Sequence, residues 1–312
     1  MLPFWISIAL LSLAQGAVVA LPRAPAATSS RALLGAVRAA GLARVKARGW
    51  AALPPASVLA FVLVAGAAQR ASAQTLTYVA LVGVPLLALL ALSWRAPRAR
   101  GAIVAPVLAL FALAWANRGG LPGEAASVVL TALSCVALGT LLAWVTPPRW
   151  LAAGIVAMAA ADTALVVSDL LRKPNNALNA AHPAAGLPRL QSAALGSAVM
   201  GYGDLFIAAA LGALLAMTAG RSVQRRAAAL TALLAGCLDL LFFLVDELPA
   251  TVPVALTLIL LAARSRLASA RRWRARASGA SPPPRRLGPA AAPPRALDPR
   301  QSAPRDQTEA VR

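Results

Sequence analysis

The chain has 312 residues, of which 59% are hydrophobic and only 13% are charged, and its mean hydropathy is +0.70. This composition excludes an ordinary soluble protein and predicts an integral membrane protein. The formal net charge is +20. Because the basic residues occupy alternate loops and the carboxyl-terminal stretch, we interpret them as cytoplasmic segments that face anionic lipid headgroups, and we expect no nucleic-acid partner.

Nine apolar segments are long enough, or nearly long enough, to cross a lipid bilayer. In chain order they cover residues 2–21, 50–69, 76–94, 102–117, 125–145, 151–171, 194–220, 227–245 and 249–263. Trp50, Trp94 and Trp150 stand at or near segment ends, where the amphipathic indole ring prefers the headgroup level. We therefore predict an all-α, polytopic membrane helical bundle of about nine transmembrane helices over residues 1–263.

The distribution of lysine and arginine predicts the orientation of the chain in its membrane. The odd-numbered loops hold thirteen basic residues and the even-numbered loops hold five. Since cytoplasmic loops carry the excess of positive charge, we expect the amino terminus outside and the carboxyl terminus in the cytoplasm. The membrane we expect is a bacterial inner membrane.

Two basic stretches lie outside the apolar segments. Residues 29–48 place Leu34, Val37 and Leu42 at nearly helical spacing, which is consistent with a helix lying on an anionic membrane surface, and equally with a basic loop of no fixed shape. Residues 264–312 are rich in proline and arginine and are predicted to form a disordered cytoplasmic tail. The sequence contains neither metal-ligand spacing nor a glycine-rich phosphate cradle, so we expect no metal and no organic cofactor.

Acidic residues are concentrated in one part of the chain. Residues 1–161 contain a single acidic residue, Glu124, whereas residues 162–247 contain six. Asp162 is the twelfth residue of its 21-residue segment and Asp204 is the eleventh of 27, so both are predicted near half depth. A carboxylate at that depth costs about 2.5 to 3.5 kcal/mol, and a chain keeps one there mainly where it faces a cavity and has a function.

Asp162 and Asp204 are predicted to face each other. The connection between their segments is short and polar, so the two helices run antiparallel and their midpoints meet at one level. Two carboxyl groups close together in a poorly solvated site do not both ionise readily, and we expect them to share one proton. That state suits hydrolysis of a peptide bond, because the carboxylate takes a proton from water while the carboxylic acid polarises the carbonyl group.

Glycine and proline stand beside these candidates. Gly201 and Gly203 remove side chains next to Asp204, which lets a backbone or a water molecule approach, although glycines in membrane helices also serve tight packing. Pro249 heads the ninth segment and cannot donate a backbone hydrogen bond. We therefore expect nearby carbonyl groups to be available to a substrate strand.

Together these motifs resemble those of the GxGD intramembrane aspartyl proteases, the presenilin and signal peptide peptidase family. The matching residues are Asp162 in the sixth segment, Gly201-Tyr202-Gly203-Asp204 in the seventh, and Pro249-Ala250-Thr251 at the ninth. The resemblance implies a presenilin-like fold, transmembrane-helix substrates, catalysis by the two aspartates, and an active site shaped by Gly201, Tyr202, Gly203, Pro249, Ala250 and Thr251. The chain has Ala161 where the family has tyrosine, and Thr251 where it has leucine.

A second resemblance is to the type IV prepilin peptidases. Residues 201–215 are similar to the helix that carries their second aspartate, and residues 169–175 resemble the stretch after their first. This resemblance implies that Asp169, rather than Asp162, forms the catalytic pair with Asp204. Two further helices separate the aspartates in that family, whereas only residues 172–193 lie between the two segments here.

Two functions of other classes are also consistent with the sequence. Asp239 lies in the eighth segment, and neither protease family requires it. Asp162, Asp204 and Asp239 could therefore form the relay of a proton- or cation-coupled transporter. The remaining alternative is a catalytically inactive membrane protein.

Overall fold

The computed structural model describes residues 3–23, 48–57, 60, 69–94, 100–168, 187–245 and 248–277. Within these ranges the chain is mostly helical, and four helices are long and apolar enough to cross a membrane. They cover Gln74–Ser93, Leu121–Val145, Pro148–Val167 and Arg221–Phe243. Three shorter apolar helices accompany them, so the helical membrane character predicted from composition is present, while the full set of nine spans stays a prediction.

The helices, numbered in chain order, are α1 (Phe4–Ala20), α2 (Gln69–Ser93), α3 (Arg100–Ala116), α4 (Leu121–Val145), α5 (Pro148–Val167), α6 (Tyr202–Thr218), α7 (Arg221–Asp239) and α8 (Val252–Ala277). Short 3-10 turns cover Arg48–Ala52 and Leu240–Phe243. A β-hairpin of β1 (Ser192–Leu195) and β2 (Ala198–Gly201) stands directly before α6.

Some predicted segments fall wholly or partly outside the described residues. These are half of the second apolar segment, all but the last residue of the surface helix proposed for residues 29–48, and the tail beyond residue 277. Helix α8 continues to Ala277, so the part of the predicted tail from residue 264 to 277 is helical instead of disordered. Arginine and alanine dominate that part, and both are strong helix formers.

Helix α4 occupies the centre of the packing. It contacts α2, α3, α6 and β1, and its residues Leu130, Cys135 and Ala137 have no exposed surface. A Cβ atom on Gly139 would lie 2.7 Å from the backbone carbonyl carbon of Ala209 in α6. The backbones of α4 and α6 therefore touch where glycine leaves room, as is typical of helix pairs in membranes.

Helix α1 packs between α6 and α7, again through glycine. A Cβ atom on Gly16 would lie 2.7 Å from the Cβ of Ala232 in α7, and one on Gly212 of α6 would overlap the backbone of Val19. Since α1 meets both helices backbone to backbone, its own side chains are held at fixed positions along the cavity described below.

The amino-terminal end of α7 is fixed to the end of α1 by a polar cluster. Gln224 is fully buried, and its Nε2 donates to the carbonyl oxygens of Val19 (2.8 Å) and Pro22 (2.9 Å). Arg221 donates from Nη1 to the carbonyl of Ala20 (2.9 Å) and to Oε1 of Gln224 (2.9 Å). The last carbonyl groups of α1, which have no partner within the helix, thereby receive donors.

We expect Gln224→Leu to lower the stability of the protein by about 2 kcal/mol, because the buried carbonyl of Val19 loses its donor. The measurement is thermal unfolding in detergent, with Arg225→Gln as the control, since Arg225 is exposed one residue further along the same helix. Equal unfolding temperatures for the two variants would contradict the capping role of Gln224.

The seventh predicted segment differs from the structure. A continuous helix was predicted for residues 194–220, but a hairpin occupies its first part and α6 begins only at Tyr202. Gly196 turns the chain with a φ of 61°, a conformation that favours glycine, and its N–H donates to the carboxylate of Glu124 at 2.7 Å. The only acidic residue of the first 161 thus holds the hairpin turn against α4, and Asp204 lies in the first turn of its helix instead of the middle.

Candidate active site

Asp162 projects from the carboxyl-terminal half of α5 and is held by Thr251, the residue directly before α8. The hydroxyl of Thr251 donates to Oδ2 of Asp162 at 2.6 Å, and the backbone N–H of Thr251 approaches the same oxygen at 3.4 Å. Thr251 is fully buried. One carboxylate oxygen of Asp162 is therefore occupied by Thr251, and we find no hydrogen bond to Oδ1 within the described residues.

Asp204 is the third residue of α6 and is held by the backbone that enters the helix. The N–H of Gly201, the residue before the helix, donates to Oδ2 of Asp204 at 3.0 Å. An acidic side chain at this position commonly satisfies the first N–H of a helix. This capping bond explains the position of one oxygen only, and it does not require a second aspartate nearby.

The two aspartates line one cavity of about 840 Å³. The two residues belong to different helices, Asp162 to α5 and Asp204 to α6. A Cβ atom on Gly203 would lie 3.9 Å from the methyl carbon of Met158, one turn before Asp162, so α5 and α6 are in contact at this level. We refer to Asp162 and Asp204 as the aspartate pair.

Tyr202 fixes the start of α6 to the central helix. Its hydroxyl lies 2.9 Å from the hydroxyl of Ser134, and its carbonyl oxygen lies 3.7 Å from the thiol of the buried Cys135. Both partners belong to α4. Tyr202 therefore positions Asp204 from two residues away, and it also lines the cavity.

The Pro249-Ala250-Thr251 segment lies between α1 and the aspartate pair. Nε2 of Gln15 donates to the carbonyl of Ala250 at 2.7 Å, and the carbonyl of Pro249 accepts from the N–H of Val252 at 3.2 Å. The expectation that carbonyl groups near Pro249 are available to a substrate strand is therefore wrong for these two. The first turn of α8 uses one carbonyl, and Gln15 uses the other.

A third carboxylate lines the same cavity. Asp239 ends α7, and its Oδ2 accepts a hydrogen bond of 2.5 Å from the hydroxyl of Ser12 in α1. Ser12 and Gln15 are three residues apart in α1 and therefore share one face of that helix. Polar groups of α1 thus reach both Asp239 and the segment that holds Asp162.

The structure brings together most of the residues singled out in the sequence. The cavity is lined by Asp162, Gly201, Tyr202, Gly203, Asp204, Pro249 and Ala250, while Thr251 lies behind Asp162. Asp169, the alternative catalytic residue, lies outside the described residues. Among the described residues, no group of three His, Cys, Asp or Glu side chains is arranged to hold a metal ion.

Sequence reasoning missed the contribution of α1. Ser12 and Gln15 are buried, and each makes one of the contacts just described. A signal for them exists, because Ser7, Ser12 and Gln15 are polar residues inside an otherwise apolar segment. A polar side chain in a span usually faces the interior of the bundle.

Comparison with known proteins found no match, since no family model, curated protein or solved structure is similar to this chain.

Proposed function

We propose that the protein is an intramembrane aspartyl protease that hydrolyses peptide bonds within transmembrane segments. The observation that carries the proposal is the aspartate pair: two carboxyl groups, one from α5 and one from α6, line one cavity. Each carboxyl group has one oxygen held by a donor, Thr251 for Asp162 and Gly201 for Asp204. No other described residue donates to the second oxygen of either group, which we assign to water or a peptide group.

Hydrolysis by such a pair needs one proton shared between the two carboxyl groups. The ionised carboxylate takes a proton from water as the water oxygen attacks the carbonyl carbon, while the carboxylic acid donates its proton to the carbonyl oxygen. The tetrahedral intermediate then breaks at its C–N bond. The amine leaves with a proton from the first carboxyl group, and a hydroxyl of the intermediate returns its proton to the second as the C=O bond forms again. Both groups return to the starting state without a metal or organic cofactor.

The hairpin supports the proposal because a protease must hold its substrate in an extended form. Strand β2 pairs with β1 on one side and has no strand on the other among the described residues. Val199, in this strand, is 51% exposed and lines the cavity. An unwound substrate segment can add to such a free edge by backbone hydrogen bonds, and β2 leads directly to Asp204.

The experiment that tests the proposal is cleavage of a fluorogenic transmembrane peptide by the protein reconstituted in liposomes, with the products mapped by mass spectrometry. The variants are Asp162→Ala, Asp169→Ala and Asp204→Ala. Loss of cleavage with the first and third, and not with the second, supports the proposed pair. Loss with the second and third selects the prepilin-peptidase-like mechanism, which would overturn the assignment of Asp162.

The hydroxyl of Thr251 holds the carboxyl group of Asp162, and its contribution can be tested separately. We expect Thr251→Val to lower kcat about tenfold or more, because Asp162 loses the 2.6 Å hydroxyl bond while the volume of the side chain is nearly unchanged. Thr251→Ser keeps the hydroxyl and should retain most activity. The measurement is kcat and KM for both variants; equal kcat values would contradict a role of this hydroxyl in holding Asp162.

A second candidate function is proton- or cation-coupled transport. It is favoured by one observation, namely that Asp239 lines the same cavity as the aspartate pair. A transporter should dissipate a proton gradient across liposomes with no peptide present, whereas a protease should not. Loss of the proton gradient without cleavage of the peptide would favour the transporter over the protease.

A further inference from the structure

Asp239 is a carboxylate in a membrane-spanning helix, and no basic partner is found for it in the described part of the chain. Its one hydrogen-bond donor among the described residues is the neutral hydroxyl of Ser12, and no lysine or arginine in those ranges forms an ion pair with it. Charged side chains in membrane spans are costly, and they are usually paired with a group of opposite charge. The proposed hydrolysis uses only the aspartate pair, so Asp239 has no function yet assigned.

A second acceptor lies on the same face of α1. Gln15 is fully buried and lines the cavity, and its Nε2 is used by the carbonyl of Ala250. Its Oε1 has no hydrogen-bond partner among the described residues. A buried amide oxygen without a donor is destabilising, and a ligand that brings a donor here removes that cost.

The charges of the cavity favour a cation. Its lining includes three carboxyl groups, Asp162, Asp204 and Asp239, against one described basic residue, the exposed Arg189. With one proton shared by the aspartate pair, two negative charges face one positive charge. A cationic donor is therefore attracted by the cavity as a whole.

We propose that Asp239, Ser12 and Gln15 form a subsite that binds a lysine or arginine side chain of the transmembrane substrate. Ser12 orients the carboxylate of Asp239, whose remaining oxygen accepts a hydrogen bond from the ammonium or guanidinium group, and Oε1 of Gln15 accepts a second. The inference rests on the proposed function, because it assigns the substrate as a transmembrane segment with a basic residue near the cut. It also adds a preference for a basic side chain in the substrate, which the aspartate pair alone does not provide.

The same subsite accounts for how a basic residue is tolerated within a span. A lysine in a lipid-facing helix is costly to bury, and pairing with Asp239 inside the cavity removes much of that cost. A peptide with a neutral side chain at the same position gains nothing from the pairing. Recognition would thus select against the uncharged segments that make up most membrane spans.

The test measures peptide binding separately from cleavage. Fluorescent transmembrane peptides carry lysine, acetyl-lysine or norleucine at successive positions, and their dissociation constants are measured with full-length Asp204→Asn protein in nanodiscs. At one position we expect lysine to bind about tenfold more tightly than norleucine or acetyl-lysine. Adding Asp239→Asn, which keeps an oxygen to accept from Ser12, should remove this preference.

The outcomes separate the subsite from the catalytic proposal. A lysine preference that Asp239→Asn removes supports the subsite, even if wild-type protein cuts no peptide. Equal binding of lysine and acetyl-lysine peptides at every position overturns the subsite, even if wild-type protein cuts both. The acetyl-lysine comparison needs no substitution at Asp239, so it decides the question if that variant fails to fold.

Discussion

Asp204→Asn is expected to lower the rate of peptide cleavage about a thousandfold or more while leaving the protein folded. Asparagine has the shape of aspartate, and its amide oxygen can still accept the 3.0 Å bond from the N–H of Gly201. What is lost is the ability to take and return a proton. Asp162→Asn should have the same effect, because its side chain keeps an oxygen for the hydroxyl of Thr251.

A variant with both aspartates replaced by asparagine tests whether the two residues act together. If Asp162 and Asp204 act as one unit, replacing both should cost little more than replacing either, since a single change already removes the shared proton chemistry. The measurement is single-turnover cleavage of a transmembrane peptide, with thermal unfolding to show that each variant is folded and Asp169→Asn as the matched control. A folded single variant with near wild-type cleavage would contradict the mechanism.

Gly212→Ala is expected to destabilise the protein by about 2 kcal/mol or more and to lower its unfolding temperature by about 5 °C or more. A Cβ atom at this position would lie 2.9 Å from the carbonyl carbon of Val19 and 3.0 Å from its Cα, so it meets backbone that cannot rotate away. Helices α1 and α6 must then separate. Because α1 carries Ser12 and Gln15, we expect activity to fall as well.

The matched control is Gly236→Ala in α7. A Cβ atom there has no neighbour within 4 Å, and Gly236 is exposed. Alanine favours the helix over glycine by up to about 1 kcal/mol, so this variant should be as stable as the wild type or slightly more so. Equal unfolding temperatures for Gly212→Ala and Gly236→Ala would show that α1 and α6 are not closely packed.

Helices could be predicted well from the apolar segments, because length and hydropathy alone define a stretch that can cross a membrane. The first part of the seventh segment could not be predicted this way. Residues 192–201 are as apolar as a span, but the turn at Gly196 depends on the carboxylate of Glu124, which is distant in the sequence. Hydropathy carries no information about such a tertiary contact.

Part of the candidate site could be predicted from the cost of burying charged groups. A carboxylate in an apolar segment is conspicuous because burial is costly, and this led to Asp162, Asp204 and Asp239. Buried neutral residues are less conspicuous, so Ser12 and Gln15 were missed although they line the same cavity. The contact of Thr251 with Asp162 joins residues 89 positions apart, and only the fold shows it.

The direct junction of β2 and α6 has a mechanical consequence. Strand β2 ends at Gly201, α6 begins at Tyr202, and the N–H of Gly201 is itself the donor to Asp204. No linker absorbs motion between the strand and the carboxyl group. Any segment that docks along β2 and shifts it sideways must also displace Asp204 relative to Asp162, so occupancy of the strand edge and the alignment of these two carboxyl groups are coupled through one rigid joint.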